Sequence, residues 1–162
     1  MNQQLRDTIP SSGLTIRRML DNEPDDLKIM KLIKIVSLVK RFNINNLDLP
    51  IEGLSGGELM RLSILYTLWN LDKKNKQILI LDEPEQGLDE NIRVELIQNI
   101  LASIDKPILV IYHGSKLDLL QLSFTKVWLF KKDEMNVTNV FEKPFSNFKE
   151  EITDEIKIVI QK

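Results

Sequence analysis

Ile78-Leu79-Ile80-Leu81-Asp82-Glu83-Pro84 decides the fold. Four apolar residues stop abruptly at two carboxylates and a proline, the pattern of a short strand buried on both faces that ends in a loop. In open parallel sheets, ligands bind at the carboxyl ends of the strands. Two adjacent acids at that edge suit a cation. An Asp there holds the water shell of a magnesium ion bridging nucleotide phosphates, and the next carboxylate polarises an attacking water. An acidic strand-to-loop transition with no ligand would be written in the same letters.

Downstream, strands and helices alternate. Leu88 to Ile104 carries Ile92, Leu96, Ile100 and Ile104 on one helical side. Ile108 to Tyr112 is a second buried strand, Lys116 to Leu122 a short helix and Lys126 to Phe130 a third strand. Val137 to Phe141 and Glu155 to Ile160 are expected to be further strands, the last with alternating isoleucines. This alternation is the grammar of an α/β chain with a mostly parallel sheet. His113 follows the second strand directly, at the same kind of edge as the acid pair, although a lone histidine is more often structural than catalytic.

Upstream, Ser55-Gly56-Gly57-Glu58 has the S-x-x-E spacing of a capping box, with the hydroxyl and the carboxylate satisfying free amides at a helix start. The same atoms offer an anion bare backbone N–H groups, a positive dipole end and a hydroxyl. The helix runs to about Trp69, with Leu62, Leu65 and Trp69 on one face, and Asn70 to Gln77 is a polar connection. Before the cap, Asp25 and Asp26 open a helix whose apolar surface spans Leu27 to Val39, with Lys28, Lys31 and Lys34 as a solvated stripe. Thr15 to Leu20 reads as a short helix and Met1 to Gly13 as a loop.

Composition narrows the chemistry. Over 162 residues, 22 Lys and Arg balance 24 Asp and Glu, for a net charge of -2, so no basic field recruits nucleic acid and no direct nucleic-acid partner is expected. Cysteine is absent and histidine single, which excludes disulfides, thiolate catalysis and multi-His or Cys-based metal centres. No apolar run is long enough to cross a bilayer. None of the six glycines precedes a lysine, so the phosphate-cradling loop GxxxxGK[ST] does not occur in these residues.

Taken in order, these segments resemble the C-terminal two-thirds of an ATP-binding-cassette (ABC) ATPase domain. Leu54-Ser55-Gly56-Gly57-Glu58 is similar to the family's signature, with Arg61 matching an arginine that follows it. Ile78 to Pro84 is similar to the Walker B strand, Gly87-Leu88-Asp89 to the D-loop, and His113 to the switch histidine. The resemblance covers roughly Thr15 to Phe130 and implies an incomplete P-loop NTPase lobe with a mostly parallel sheet plus a helical subdomain. Residues 1–14 would hold a possible Q-loop remnant at Gln3 or Gln4, 15–70 the helical subdomain and 71–162 the RecA-like lobe.

The resemblance also implies roles. Asp82 would support magnesium through water, Glu83 would be the general base, and His113 would contact the γ-phosphate. Leu54, Ser55, Gly56, Gly57 and Glu58 would bind the γ-phosphate of an ATP held by the opposite domain of a head-to-tail pair, with Asp89 coupling the halves. The implied cofactors are ATP and Mg2+. The implied partners are a second ABC ATPase domain or a Walker A-containing segment, and the transmembrane domain of a transporter, which places the chain at the cytoplasmic face of a membrane.

Departures accompany the matches. The Walker A loop and the adenine-stacking aromatic lie upstream of the signature in this family, whereas 53 residues precede Leu54 here. The connection Asn70–Gln77 is longer than usual, and Gln86-Gly87 replaces a small-residue pair. Two alternatives stand beside the transporter reading. One is the head of a chromosome-maintenance or DNA-repair ATPase, which would need a long coiled coil where Asp25 to Phe42 offers one short helix. The other is a non-hydrolysing module that complements a Walker A-bearing partner. A lobe without its phosphate-loop strand and helix is expected to leave apolar sheet surface uncovered, to self-associate or bind a partner, and to show negligible ATP affinity or hydrolysis by itself.

Overall fold

The computed structural model describes residues 13–112, 122, 124–132, 138–144 and 157–161. The chain divides into two compact units, Met1–Lys76 and Gln77–Lys162.

The first unit is helical. Helix α1 (Ile16–Met19) is capped by Thr15, whose side chain accepts from the Arg18 amide. Helix α2 (Asp26–Ile35) is capped by Asp25, which accepts from the amides of Leu27 and Lys28. The apolar run continues to Val39, but the helix does not, because Ser37 takes a left-handed φ of 54°. Lys31 and Lys34 are exposed as expected of a solvated stripe, while Lys28 lies 4.5 Å from the centre of the Trp69 ring.

Helix α3 (Gly56–Lys73) extends one turn beyond the expected end at Trp69, taking Asn70 to Lys73 out of the polar connection. Leu62, Leu65 and Trp69 are buried, together with Leu68, against a core that includes Ile16, Leu20, Ile29, Ile33 and Leu47. Arg17 braces this unit: it holds Asp26 at 2.6 Å, Asp48 at 2.8 Å and the Glu23 carbonyl at 2.6 Å. Trp69 Nε1 and Lys73 Nζ both donate to Asp21, at 2.9 and 2.6 Å.

The second unit is a five-stranded sheet in the order β1-β2-β5-β3-β4, with β1 (Leu79–Asp82), β2 (Ile108–Tyr112), β3 (Lys126–Lys132), β4 (Thr138–Pro144) and β5 (Lys157–Gln161). A crossover helix, α4 (Glu90–Ser103), joins β1 to β2, which pair in parallel. The other three pairings, β2 with β5, β5 with β3 and β3 with β4, are antiparallel. The protein is therefore mixed α/β, and the expectation of a mostly parallel sheet is corrected. Alternation of strand and helix signals parallel pairing only where a helix intervenes, and the described region downstream of β2 contributes strands alone.

A second correction concerns β1, expected to be buried on both faces. Leu79 and Leu81 are buried, but Ile80 is 55% exposed, so β1 has one covered face; among the described residues it pairs with β2 alone. The short helix expected at 116–122 falls almost wholly outside the described residues, as does the Q-loop candidate at Gln3 or Gln4. Among the described residues no helix is long and apolar enough to cross a membrane.

Candidate functional site

The serine-glycine tip is built by α3 itself. Ser55 sits outside the helix at φ −66° and ψ 163°, its hydroxyl accepts from the Glu58 amide at 3.2 Å, and its amide donates to Glu58 Oε2 at 2.8 Å. The capping box read from sequence is therefore formed. It does not exhaust the serine: a hydroxyl that accepts one bond still has its own proton to donate. The amides of Gly56 and Gly57 have no partner among the described residues, the ordinary state of a helix's first turn, and Ser55 and Gly56 are exposed. A Cβ at Gly56 would meet nothing within 4 Å, so the glycine leaves open room for whatever approaches the helix end.

Three features hold that tip. Gly53 takes a φ of +59°, a left-handed turn that favours glycine, and brings the chain into Leu54. Arg41 Nη2 donates to the Glu52 carbonyl. Arg61, nearly buried, donates through Nε to the Gly57 carbonyl at 3.2 Å and through Nη1 to the Ser37 carbonyl at 2.5 Å. Arg61 thus ties the first turn of α3 to the left-handed turn that ends α2. The Glu58 carboxyl is held below the usual carboxylate range, chiefly by the Ser55 amide.

The acid pair belongs to the second unit, and β1 positions it. Asp82 is the last residue of the strand and is exposed, with no partner among the described residues. Glu83, half-buried, takes a φ of +46°, unusual for a residue with a long side chain. Its amide donates to the Ile111 carbonyl at 2.9 Å, extending the parallel ladder one residue past β1. Gln86 returns over it, donating from its amide to the Glu83 carbonyl at 3.1 Å and from Nε2 to Glu83 Oε2 at 3.4 Å. Gln86, read from sequence only as a departure, thus contacts the candidate base; its spacing alone gave no signal of that contact.

The turn closes with Gly87 at φ +74° and reaches Asp89, the N-cap of α4. Asp89 occupies a capping position without capping, since its carboxylate makes no bond to the helix amides. Asp89 is exposed, and its side chain has no partner among the described residues. His113 lies outside the described residues, though β2 ends one residue before it.

The second unit therefore brings Asp82, Glu83 and Asp89 to one strand-turn-helix segment, whereas Leu54 to Glu58 are gathered on the first. Among the described residues no group of three or more His, Asp or Glu side chains could enclose a metal ion. Magnesium bound with nucleotide needs no such cage, because phosphate oxygens and water complete its shell around one or two carboxylates, and the exposed Asp82 fits that use. In a comparison with known protein families, none matched the chain.

Proposed function

We propose that this chain contributes the signature tip, the Walker B acids and the D-loop of an ABC-type ATPase, with the main phosphate cradle supplied from outside these 162 residues. The observation that carries the reading is the acid pair at the carboxyl edge of the parallel strands β1 and β2, with Glu83 fixed in a left-handed turn by Ile111 and Gln86. Residues held in sparsely populated backbone regions cluster at active sites.

In this reading Asp82 would hold a magnesium ion through water, and the ion would supply neutralisation of phosphate charge. Glu83 takes a proton from the attacking water, and Asp89 couples the site to the opposite domain. Ser55 donates its hydroxyl proton, and Gly56 and Gly57 their amides, to the γ-phosphate of an ATP whose cradle lies on the partner. His113 would contact the same phosphate. A transporter's ATPase is the preferred setting. The ten-residue α2, stopped by the Ser37 turn, favours a compact helical subdomain over the entry of a long coiled coil.

The test is reconstitution. The chain is mixed with a GxxxxGK[ST]-bearing segment and assayed for magnesium-dependent ATP hydrolysis. Turnover that is lost in Glu83→Gln, with ATP binding retained, is the expected result. Turnover unchanged in Glu83→Gln would overturn the assignment.

A further inference from the structure

The functional reading gives the tip of α3 a difficulty of charge. Ser55, Gly56 and Gly57 would receive a phosphate, yet the Ser55 amide already holds the Glu58 carboxylate at 2.8 Å. A carboxylate seated on the residue whose hydroxyl would donate to an incoming anion repels that anion. Glutamine at this position would close the same capping box without a charge. With glutamate there, a tip that attracts phosphate requires a counter-charge.

Two arginines supply positive charge beside it. The Ser55 amide is the first cause that holds the Glu58 carboxyl below the usual range, burial opposes it, and the charges of Arg41 and Arg61 act in the amide's direction. Arg61 is nearly buried and commits its guanidinium to the carbonyls of Gly57 and Ser37. Arg41 differs. It is exposed, and among the described residues its side chain makes one hydrogen bond, from Nη2 to the Glu52 carbonyl, out of the five N–H donors a guanidinium carries.

The backbone of Arg41 is fixed from two sides. Its amide donates to the Leu38 carbonyl at 3.0 Å, and its carbonyl accepts from Asn46 Nδ2 at 3.0 Å, beside the capping box that Asn43 and Asn46 form around the short 3-10 turn Ile44–Asn46. The side chain then crosses Gly53, where a Cβ would lie 3.8 Å from Arg41 Nη2 and where the backbone holds a φ of +58 to +60°, printed as +59°. Arg41 is thus anchored outside α3 and laid on the turn that leads into Leu54 and Ser55.

We propose that Arg41 is a positioning residue of the serine-glycine tip, which offsets the Glu58 carboxylate and so lets the tip accept a phosphate. The proposal rests on the functional reading above and adds the group that sets the charge of the same tip.

The experiment is a double-substitution cycle on the whole chain with two readouts. With the chain alone, the Glu58 carboxyl is titrated by carbon-13 resonance. Arg41→Gln, which keeps a donor without the charge, should move that titration to higher pH, because a nearby cation favours the carboxylate, and Arg41→Lys should leave it near the natural position. In the reconstituted assay, Arg41→Gln should lower kcat/KM for ATP about threefold, the size of one partly exposed charge pair. That cost should largely vanish once Glu58→Gln has removed the carboxylate, and it should shrink as salt is raised from about 0.05 M to about 0.5 M. Arg41→Lys should restore most of the lost activity. If Arg41→Gln loosens the turn, as urea unfolding would reveal, Arg41→Lys and Arg41→Met make the same comparison with and without the charge on a long stem.

A Glu58 titration indifferent to Arg41→Gln overturns the proposal, as does a loss of activity equal in the natural and Glu58→Gln backgrounds. Arg41→Lys no better than Arg41→Gln also overturns it, by assigning the effect to the hydrogen bond with Glu52 rather than to charge. Absence of turnover with every chain would instead overturn the ATPase reading and the phosphate role with it, while the Glu58 titration still decides whether Arg41 offsets the carboxylate.

Discussion

Glu83 and Ile111 are joined by a 2.9 Å bond from amide to carbonyl, so the first residue beyond β1 is fastened to the last but one of β2. The bond holds a candidate catalytic carboxylate on backbone that is otherwise leaving the sheet. It also holds Glu83 at a φ of +46°, where a residue with a Cβ meets the following carbonyl. Gln86 reaches the carboxylate itself, at 3.4 Å. Backbone and side chain of the same residue are thus fixed from two directions.

The left-handed turn gives a stability test independent of activity. A non-glycine residue there costs about 1 kcal/mol, which glycine avoids while losing more chain entropy on folding. Glu83→Gly should therefore range from unchanged to about 1 kcal/mol more stable, and Glu83→Val about 1–2 kcal/mol less stable, in urea unfolding. A glycine variant markedly less stable than the natural chain would show that the side chain contributes more than the backbone strain removes.

Ser55 separates its two uses by substitution. Ser55→Ala removes the cap and should cost about 1 kcal/mol, whereas Ser55→Asp keeps a capping oxygen and should stay within about 0.5 kcal/mol of the natural chain. Only the aspartate places a negative charge where a phosphate would come. In the reconstituted assay Ser55→Asp should lower ATP turnover at least about tenfold while the fold is retained. Turnover that follows stability, with the alanine variant the worse of the two, would leave Ser55 a cap and nothing more.

Acid should weaken the first unit through Glu58. Its carboxyl is held below the usual range, first by the hydrogen bond from the Ser55 amide, with burial opposing. A group whose pKa falls on folding contributes stability that is full above its unfolded pKa, about 4.3, and is lost as pH falls through the folded value. Urea midpoints should therefore drop from pH 6 toward pH 3, and less steeply in Glu58→Gln. Identical slopes in the two chains would remove Glu58 from that response. Asp21, lowered first by Lys73 and then by Trp69, shifts in the same direction and contributes to what remains.

Local rules carried the helix starts into the structure: Asp25 and Ser55 both cap where their spacing predicts. What depended on distant pairing was not legible. Ile78 to Leu81 reads as a strand buried on both faces, yet Ile80 is exposed, and a string of apolar letters cannot say which of a strand's faces another layer covers. The alternating isoleucines near the C-terminus announce a strand without its place between β2 and β3 or its antiparallel direction, because both are set by partners far away in sequence. The end of α2 at Ile35 turned on the backbone of Ser37, a residue with no strong turn signal. At the candidate site, the Gln86 contact and the absence of a capping bond from Asp89 were not readable, since each depends on the turn's three-dimensional path.

Arg61 was read as a companion of the tip, and its contacts give that position a physical duty. It is nearly buried and spans two carbonyls, of Gly57 in the first turn of α3 and of Ser37 after α2. Lysine has one ammonium where arginine has a planar fork, so it cannot serve both carbonyls with the same geometry. Arg61→Lys should lose about 1–2 kcal/mol, and Arg61→Ala about 2–3 kcal/mol because packing goes with the bonds. Slowed amide exchange in the first turn of α3 should be lost in both variants ahead of the helix's middle turns. If protection at Glu58 to Met60 survives in Arg61→Ala, the tip is held by its capping box alone, and the arginine acts through burial rather than by bracing the turn.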